Sequence, residues 1–163
     1  MLPAGEMGIT CRMIEIVNYT EQTKEYVKTL NYEWLEKYFV VEPNDVIQLA
    51  DPQKEIIDKD GHIFYAKHNG EIVGTASLLK LDDGVYELGK MAVTQSAQGL
   101  GIGKILIEHC IKIAHQMGLP KLVLYSNTSL KSAIHLYEKY GFTEIELEAG
   151  HYGRANIKME KLL

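Results

Sequence analysis

Three glycines stand close together in the segment Gln98–Lys104, whose sequence is Gln-Gly-Leu-Gly-Ile-Gly-Lys. Glycine has no Cβ, so the backbone N–H groups of such a loop can approach an anion closely. A helix that begins behind the loop adds unpaired N–H groups and the positive end of its dipole. Together these features predict a binding site for phosphate groups. A tight turn without a ligand is the alternative.

Two common phosphate-binding motifs are excluded by the residues themselves. A P-loop needs Gly at position 98 and Ser or Thr at 105, where Gln98 and Ile105 stand. A dinucleotide fingerprint needs Gly at position 104 or 106, where Lys104 and Leu106 stand. The loop therefore predicts another kind of phosphate-bearing ligand.

The elements that must position this loop follow from hydrophobic periodicity and turn residues. Val85–Val93 predicts a strand before the loop, and an amphipathic helix follows it as far as Gly118. The remaining predicted strands are Met13–Val17, His62–Lys67, Glu71–Leu79, Leu122–Ser126, Glu144–Leu147 and Ala155–Met159, and the remaining predicted helices are Glu21–Phe39, Asn44–Leu49, Pro52–Asp58 and Ser129–Tyr140. This order predicts a single domain over residues 13–163, preceded by a flexible extension at residues 1–12.

A second segment about thirty residues after the loop completes a pattern that resembles a known family. Val93 is followed by Gln98-x-x-Gly101-x-Gly103 at the start of a helix, and then by Leu-Tyr-Glu-Lys-Tyr-Gly-Phe at 136–142. The pattern is similar to that of the GNAT acetyltransferase superfamily over roughly residues 13–159. The resemblance implies an α/β (α+β) fold, with a mixed, twisted central sheet of about six to seven strands flanked by helices. It also implies that the sheet is splayed between strands 4 and 5 and that acetyl-CoA lies in the opening.

The resemblance further implies which residues hold acetyl-CoA, the co-substrate. Backbone groups of Met91, Ala92 and Val93 would bind the pantetheine arm in the manner of an added strand. Asn127, after the fifth strand, matches an asparagine that helps to hold the cofactor, although its interval to the tyrosine at 137 is longer than in many members. The pyrophosphate would accept hydrogen bonds from the backbone N–H groups of Gln98, Gly99, Leu100, Gly101, Ile102, Gly103 and Lys104.

Tyr137 and Glu87 are the catalytic residues that the resemblance implies. Tyr137 matches a tyrosine that returns a proton to the CoA thiolate, a role that suits a phenol as general acid. Glu87 matches the position at which some family members carry a general base. Such a base is needed because an alkylammonium must lose a proton, at a cost of about 4 to 5 kcal/mol at pH 7, before it can attack. The structural alternatives are packing of Tyr137 in the core and pairing of Glu87 with Lys90. Tyr86 and Tyr125 are alternate bases.

Metal and cysteine chemistry find no support in the sequence. Cys11 and Cys110 have no Cys-x-x-Cys spacing, and the six histidines show no metal-ligand grouping. We therefore expect no metal and direct attack without a covalent enzyme intermediate. His151, Tyr152 and Arg154 follow the predicted strand Glu144–Leu147 and are candidates for contacts with the acceptor.

Net charge and hydropathy indicate which classes of binding partner and which location to expect. The net charge is −5, and it divides into −7 over residues 1–85 and +2 over residues 86–163. An acidic substrate side would suit a cationic amine, and a mildly basic cofactor side would suit an anionic ligand. The alternative is that the uneven charge only reflects a solvated surface without a binding role. Neither a secretory signal nor an apolar run of about 20 residues is present. We expect a cytoplasmic protein, with no nucleic-acid or membrane partner, that forms a homodimer as family members often do.

The predicted function is that of an N-acetyltransferase acting on a primary amine of a small molecule. Three alternatives stay open at this stage. The acceptor could be a protein lysine or N-terminus, the acyl group could be larger than acetyl, and the chain could be a CoA-binding sensor or regulatory module without turnover.

Overall fold

The structure is a computed structural model and describes residues 13–149 and 153–163. The predicted extension at residues 1–12 lies outside the described residues, as do His151 and Tyr152. Over these described ranges, seven strands form one mixed sheet in the order β1-β2-β3-β4-β5-β7-β6. They are β1 (Ile14–Asn18), β2 (His62–His68), β3 (Glu71–Lys80), β4 (Tyr86–Val93), β5 (Lys121–Ser126), β6 (Thr143–Ile145) and β7 (Ile157–Leu162).

Within the described residues, five α-helices connect and cover these strands. They are α1 (Lys24–Tyr38), α2 (Pro43–Ala50), α3 (Pro52–Glu55), α4 (Ile102–Gln116) and α5 (Lys131–Lys139). The α/β fold, the strand count and the helices on the sheet agree with the prediction. Three helices are shorter than predicted. Helix α1 begins at Lys24 after a 3-10 turn at Glu21–Thr23, and α5 spans Lys131–Lys139 rather than Ser129–Tyr140. Helix α3 ends at Glu55 and is followed by a 3-10 turn at Ile57–Lys59 that Asp60 closes with a φ of +66°.

The hairpin between β2 and β3 has the tight turn that its residues favour. Asn69 and Gly70 connect the strands with φ values of +53° and +84°, and two positive φ angles define the type I′ turn whose twist matches that of the flanking strands. The turn fixes the antiparallel register, in which His68 lies opposite Glu71.

The core has two parts, one on each face of the sheet. Buried residues of α4, including Leu106 and Cys110, belong to the larger cluster. Val27 of α1 and Leu49 of α2 belong to the smaller one. Helix α4 lies very close to β3, since a Cβ placed on Gly74 would stand 2.9 Å from Ile102 Cγ2. A glycine is therefore needed where the loop-bearing end of α4 meets the sheet.

Candidate active site

A cleft opens between β4 and β5. The two strands pair in parallel only through Tyr86 with Leu122 and Glu87 with Val123. Beyond these pairs the strands separate, and the cleft between them has a volume of about 190 Å³. Its lining includes Asn31, Trp34, Phe39, Asp45, Glu87, Lys90, Met91, Tyr125, Asn127, Tyr137 and Arg154. The predicted splay between strands 4 and 5 is thus confirmed.

Strand β4 carries a bulge beside the cleft. The β3–β4 register shifts between Thr75 and Ser77, because β4 has an extra residue at Lys90–Met91. Lys90 has a φ of +49°, a left-handed conformation that costs an L-residue about 1 to 2 kcal/mol. A bulge leaves one residue out of the ladder. The bulge therefore interrupts the regular β3–β4 pairing beside the cleft.

Asn31 of α1 stabilises the bulge from the side of the smaller core cluster. Its side chain is buried, and Nδ2 donates to the carbonyl oxygens of Val27 at 2.8 Å and of Lys90 at 3.2 Å. A buried amide with two such partners holds the strained Lys90 peptide in one orientation.

A buried ion cluster connects three elements at the same end of the cleft. Asp45 of α2 is completely buried and lies 2.9 Å from Lys90 Nζ. Arg154 donates to both Asp45 oxygens, at 2.6 and 2.9 Å, and to Glu42 Oε2 at 2.9 Å. Burial by itself would raise the pKa of Asp45, but the hydrogen bonds from Arg154 and the charge of Lys90 outweigh it and lower the pKa to about 2.

The carboxylate of Glu87 lies on the floor of the cleft, on the sheet face that α1 and α2 cover. The residue is only 3% exposed. A Cβ placed on Gly89, two residues along the strand, would stand 2.9 Å from both Glu87 Oε2 and Leu79 Cδ1. The glycine therefore makes the room that the buried carboxylate occupies.

Tyr137 lines the cleft from α5, on the far side of the gap from β4. Its ring packs edge-on against Phe142 with 6.1 Å between centroids. Burial raises the pKa of Tyr137 to about 12, so the phenol is protonated at neutral pH. Its hydroxyl makes no hydrogen bond to any other described residue. Tyr137 is thus a packing residue that also lines the cleft.

Asn127 also lines the cleft, but its amide already has protein partners. Nδ2 donates to the Arg154 carbonyl at 2.7 Å, and Oδ1 accepts from the Ser129 N–H at 2.9 Å. These bonds shape the turn that leads from β5 into α5. The predicted contact with the cofactor is left to the second Nδ2 hydrogen or the remaining lone pair of Oδ1.

The predicted pantetheine and phosphate sites continue from the cleft along β4. Met91 lines the cleft, while Ala92 is buried and Val93 lies outside the lining. Gly99 and Gly101 have φ values of +86° and +77°, and a Cβ on either would touch nothing within 4 Å. The loop from Gln98 to Lys104 lies outside the lining of the cleft and leads directly into the N-terminus of α4.

The alternate bases are engaged elsewhere. The Tyr86 hydroxyl donates to the Asp60 carbonyl at 2.9 Å. The Tyr125 hydroxyl donates to Glu148, and burial together with that carboxylate raises the pKa of Tyr125 to about 12. Neither phenol is suited to accept a proton from an ammonium group. Cys110 is completely buried, and burial raises the pKa of its thiol well above the ordinary value.

Asn31 and Asp45 were missed by sequence reasoning, although each left a signal. Asn31 lies between Val27 and Leu35 on the apolar face of α1, and Asp45 lies four residues before the buried Leu49 of α2. A polar residue on an apolar helical stripe indicates a buried partner. The partner, Lys90, could not be identified because it is distant in sequence.

The fold and the cleft agree with comparisons to known proteins. A sequence model of the "Acetyltransferase (GNAT) family" matches residues 23–142. The chain belongs to the GNAT acetyltransferase family. This result confirms the resemblance in the loop and in the segment 136–142, and it supports an acetyl-CoA-dependent acyltransferase.

The GNAT chain is similar in sequence to several bacterial acetyltransferases. It is 29% identical to the uncharacterized N-acetyltransferase YjgM of Escherichia coli (strain K12) over 129 residues, which cover 77% of this chain and 74% of that protein. It is 33% identical to a mycothiol acetyltransferase of Thermomonospora curvata over 86 residues, 53% of this chain but 29% of that protein.

Solved GNAT structures share the fold. An acetyltransferase of Staphylococcus aureus Mu50 superposes with a TM-score of 0.81 at 24% identity, covering 91% of this chain and 98% of its own. The PaiA N-acetyltransferase of Thermoplasma acidophilum, solved in complex with coenzyme A, superposes with a TM-score of 0.73 at 18% identity, covering 92% and 99%.

The described residues contain neither a candidate membrane helix nor a candidate metal-ligand cluster. No helix within residues 13–149 and 153–163 is long and apolar enough to cross a membrane. Over the same ranges, no three His, Cys, Asp or Glu side chains are grouped in a way that could hold a metal ion.

Proposed function

We propose that this chain transfers the acetyl group of acetyl-CoA to a primary amine by direct attack in a ternary complex. The observation that carries the proposal is the pair of residues across the β4–β5 cleft. Glu87 supplies a buried carboxylate from β4, and Tyr137 supplies a protonated phenol from α5. These are the two proton carriers that aminolysis of a thioester needs.

Acetyl-CoA is the first substrate in this proposal. The backbone of Met91, Ala92 and Val93 pairs with the pantetheine arm, which extends β4 toward the loop. The N–H groups from Gln98 to Lys104 and the N-terminus of α4 bind the pyrophosphate, and Asn127 closes the site from the β5 side. The thioester then lies beside the β4 bulge, where a backbone N–H stabilises the oxyanion.

The protons balance over one turnover. Glu87 takes one proton from the acceptor ammonium, and the free amine attacks the thioester carbon, forming the C–N bond. The C–S bond breaks and the thiolate takes a proton from Tyr137, which recovers it from the nitrogen of the new amide. The products are the acetylated amine and CoA thiol, with one proton left on Glu87.

The acceptor enters from the end of the cleft that Trp34, Phe39 and Arg154 line. A small amine fits a cleft of this volume, and a lysine side chain or N-terminus of a protein presents the same primary amine. The proposal covers both sources, because the reacting nitrogen and its proton are the same.

The test is release of CoA thiol from acetyl-CoA with polyamines, amino acids, aminoglycosides and lysine peptides as acceptors. Tyr137→Phe and Glu87→Gln should each lower kcat about a hundredfold on the accepted amine class while leaving binding of acetyl-CoA within twofold. Tyr140→Phe, on a neighbouring tyrosine outside the cleft lining, is the matched control and should keep the native kcat.

The outcomes separate the competing functions. Turnover that both variants lose supports the proposal and names the acceptor class. Saturable binding of acetyl-CoA without release on any acceptor would contradict it in favour of a CoA-binding sensor. Turnover that survives in Tyr137→Phe would show that another group protonates the thiolate.

A further inference from the structure

A second cavity of about 90 Å³ adjoins the active-site cleft on the α2 side of the sheet. Of the described residues that line the two cavities, only Glu87 belongs to both. Gly89 lines the cleft, and a Cβ placed on it would stand 2.9 Å from both Glu87 Oε2 and Leu79 Cδ1. Leu79 in turn lines the second cavity. The Glu87 carboxylate therefore lies where the two cavities meet.

The second cavity has the polarity and size to hold water. Gln48 of α2 places a buried Oε1 there that has no hydrogen-bond partner among the described residues. A buried amide oxygen is nearly always paired, and water is the partner that a polar cavity supplies. A water needs roughly 10 to 15 Å³ of such space, so the cavity has room for a short chain of waters.

The outer end of the cavity is charged and open to solvent. Glu55 and Lys59 line it and form an ion pair at 2.8 Å, in which the lysine side chain is 61% exposed. The lining thus includes the buried Glu87, the Gln48 amide and an ion pair whose lysine is exposed to solvent. A cavity lined by these groups can connect a buried proton carrier to bulk water.

We propose that this second cavity is the proton exit of the active site, with Gln48 as a positioning residue that holds its water chain. The inference rests on the proposed function, in which each turnover leaves one proton on Glu87. Acetyl-CoA and the acceptor fill the cleft and exclude water there. The proton therefore passes from Glu87 to a water of the second cavity, moves along the chain past Gln48 Oε1, and reaches solvent at Glu55 and Lys59, which returns Glu87 to the carboxylate.

Two variants test the exit from different directions. Gln48→Leu removes the amide at nearly constant volume, and Asn44→Trp fills the cavity from an exposed position on the same helix. Each should lower kcat about tenfold and raise the solvent deuterium isotope effect on kcat, because proton release becomes rate-limiting. KM for acetyl-CoA should stay within twofold. Val46→Trp is the matched control, since Val46 is an exposed α2 residue that lines neither cavity.

The results distinguish this inference from the proposed function. A native kcat and isotope effect in Asn44→Trp, beside a loss in Glu87→Gln, would overturn the exit route and leave Glu87 as the base. A native kcat in Glu87→Gln would overturn both. A fall in kcat without a larger isotope effect would assign Gln48 a structural role only. If Gln48→Leu does not fold, Asn44→Trp against Val46→Trp still decides the question.

Discussion

At the scale of single residues, the site depends on charged groups that the fold has removed from water. Glu87 is buried beside a glycine, and Asp45 is buried between Lys90 and Arg154. Burying a carboxylate is costly unless its partners are well placed, and a buried cluster that loses one member is left with an uncompensated charge. Both residues should therefore be sensitive to changes in their neighbours.

Gly89→Ala should impair catalysis through Glu87. The new Cβ would meet Glu87 Oε2 and Leu79 Cδ1 at 2.9 Å, so the carboxylate must move. We expect kcat to fall at least about tenfold with KM for acetyl-CoA within twofold, and stability to fall by about 1 to 3 kcal/mol. Steady-state kinetics and urea unfolding measure the two effects.

The matched control for this change is Gly74→Ala. Its Cβ would meet Ile102 Cγ2 at 2.9 Å, on the other face of the sheet. It should cost comparable stability and, because Ile102 belongs to the proposed phosphate site, it should raise KM for acetyl-CoA while kcat at saturating acetyl-CoA stays near the native value. Equal losses of kcat in the two variants would show that overpacking alone, rather than displacement of Glu87, explains the effect.

Asp45 should make stability depend on pH in the acid range. Its pKa is lowered from 3.8 to about 2 in the folded state, so the stabilisation is fully present above about pH 4 and is lost as the pH falls toward 2. The contribution is on the order of 2 kcal/mol. In urea unfolding as a function of pH, Asp45→Asn should be less stable than the native chain at pH 7, and the difference should shrink below pH 4.

Glu148→Gln is a suitable comparison for the pH experiment. The pKa of Glu148 is also lowered to about 2, by hydrogen bonds from Tyr125 and Lys158, but its side chain is 48% exposed. Solvent weakens such a pair, so the variant should change stability little. A pH-independent difference between Asp45→Asn and the native chain would contradict the assignment.

At the scale of elements, the two ends of α4 have similar backbone geometry but different proposed roles. Gly101 at the N-terminus has a φ of +77°, and Gly118 after the C-terminus has a φ of +72°. A Cβ on either would touch nothing within 4 Å, so replacement by alanine acts through backbone conformation alone. Only the N-terminus presents free N–H groups to a phosphate.

Gly101→Ala and Gly118→Ala should therefore differ in binding and not in stability. Each should cost about 1 kcal/mol, because alanine disfavours the left-handed region. Gly101→Ala should also raise KM for acetyl-CoA about fivefold, with kcat within twofold, since the loop relaxes away from the pyrophosphate. Gly118→Ala should leave KM unchanged. Equal KM values in the two variants would remove the loop from the binding site.

At the scale of the whole molecule, the sheet consists of two parts that meet over a short contact. Strands β1 to β4 form one antiparallel part and β5, β7 and β6 the other, and only two residue pairs of β4 and β5 connect them within the sheet. A ligand in the gap contacts both parts of the sheet. It therefore binds the folded chain and not the unfolded chain. Its binding energy is therefore added to the stability of the fold.

Acetyl-CoA should raise the melting temperature of the chain. At a hundred times its Kd, the ligand adds about 2.7 kcal/mol to the free energy of unfolding, or roughly 5 to 10 °C for a domain of this length. Thermal unfolding measures the shift, with pantetheine as the control because it lacks the pyrophosphate. An equal shift with pantetheine would contradict phosphate binding at the loop. Light scattering on the same samples tests the predicted homodimer.

Much of the fold and part of the site could be predicted from local sequence. Asn69-Gly70 determines its own turn because only such residues adopt two positive φ angles readily. The glycines at 99 and 101 mark the loop before α4 for the same reason, and Tyr137 followed by Gly141 marks the end of α5. Each of these signals depends on residues within a few positions of one another, which is why a single sequence reveals them.

The tertiary structure decided what depends on distant residues. The opening between β4 and β5 follows from where the parallel pairing stops, and no local pattern contains that information. Contacts across the chain likewise bury Asp45 against Lys90 and Arg154, hold the β4 bulge with Asn31, and place Glu87 between two cavities. The sequence alone thus determined the family and most of the elements and indicated candidate residues for the site, while packing between distant segments determined which of them share a buried, polar environment.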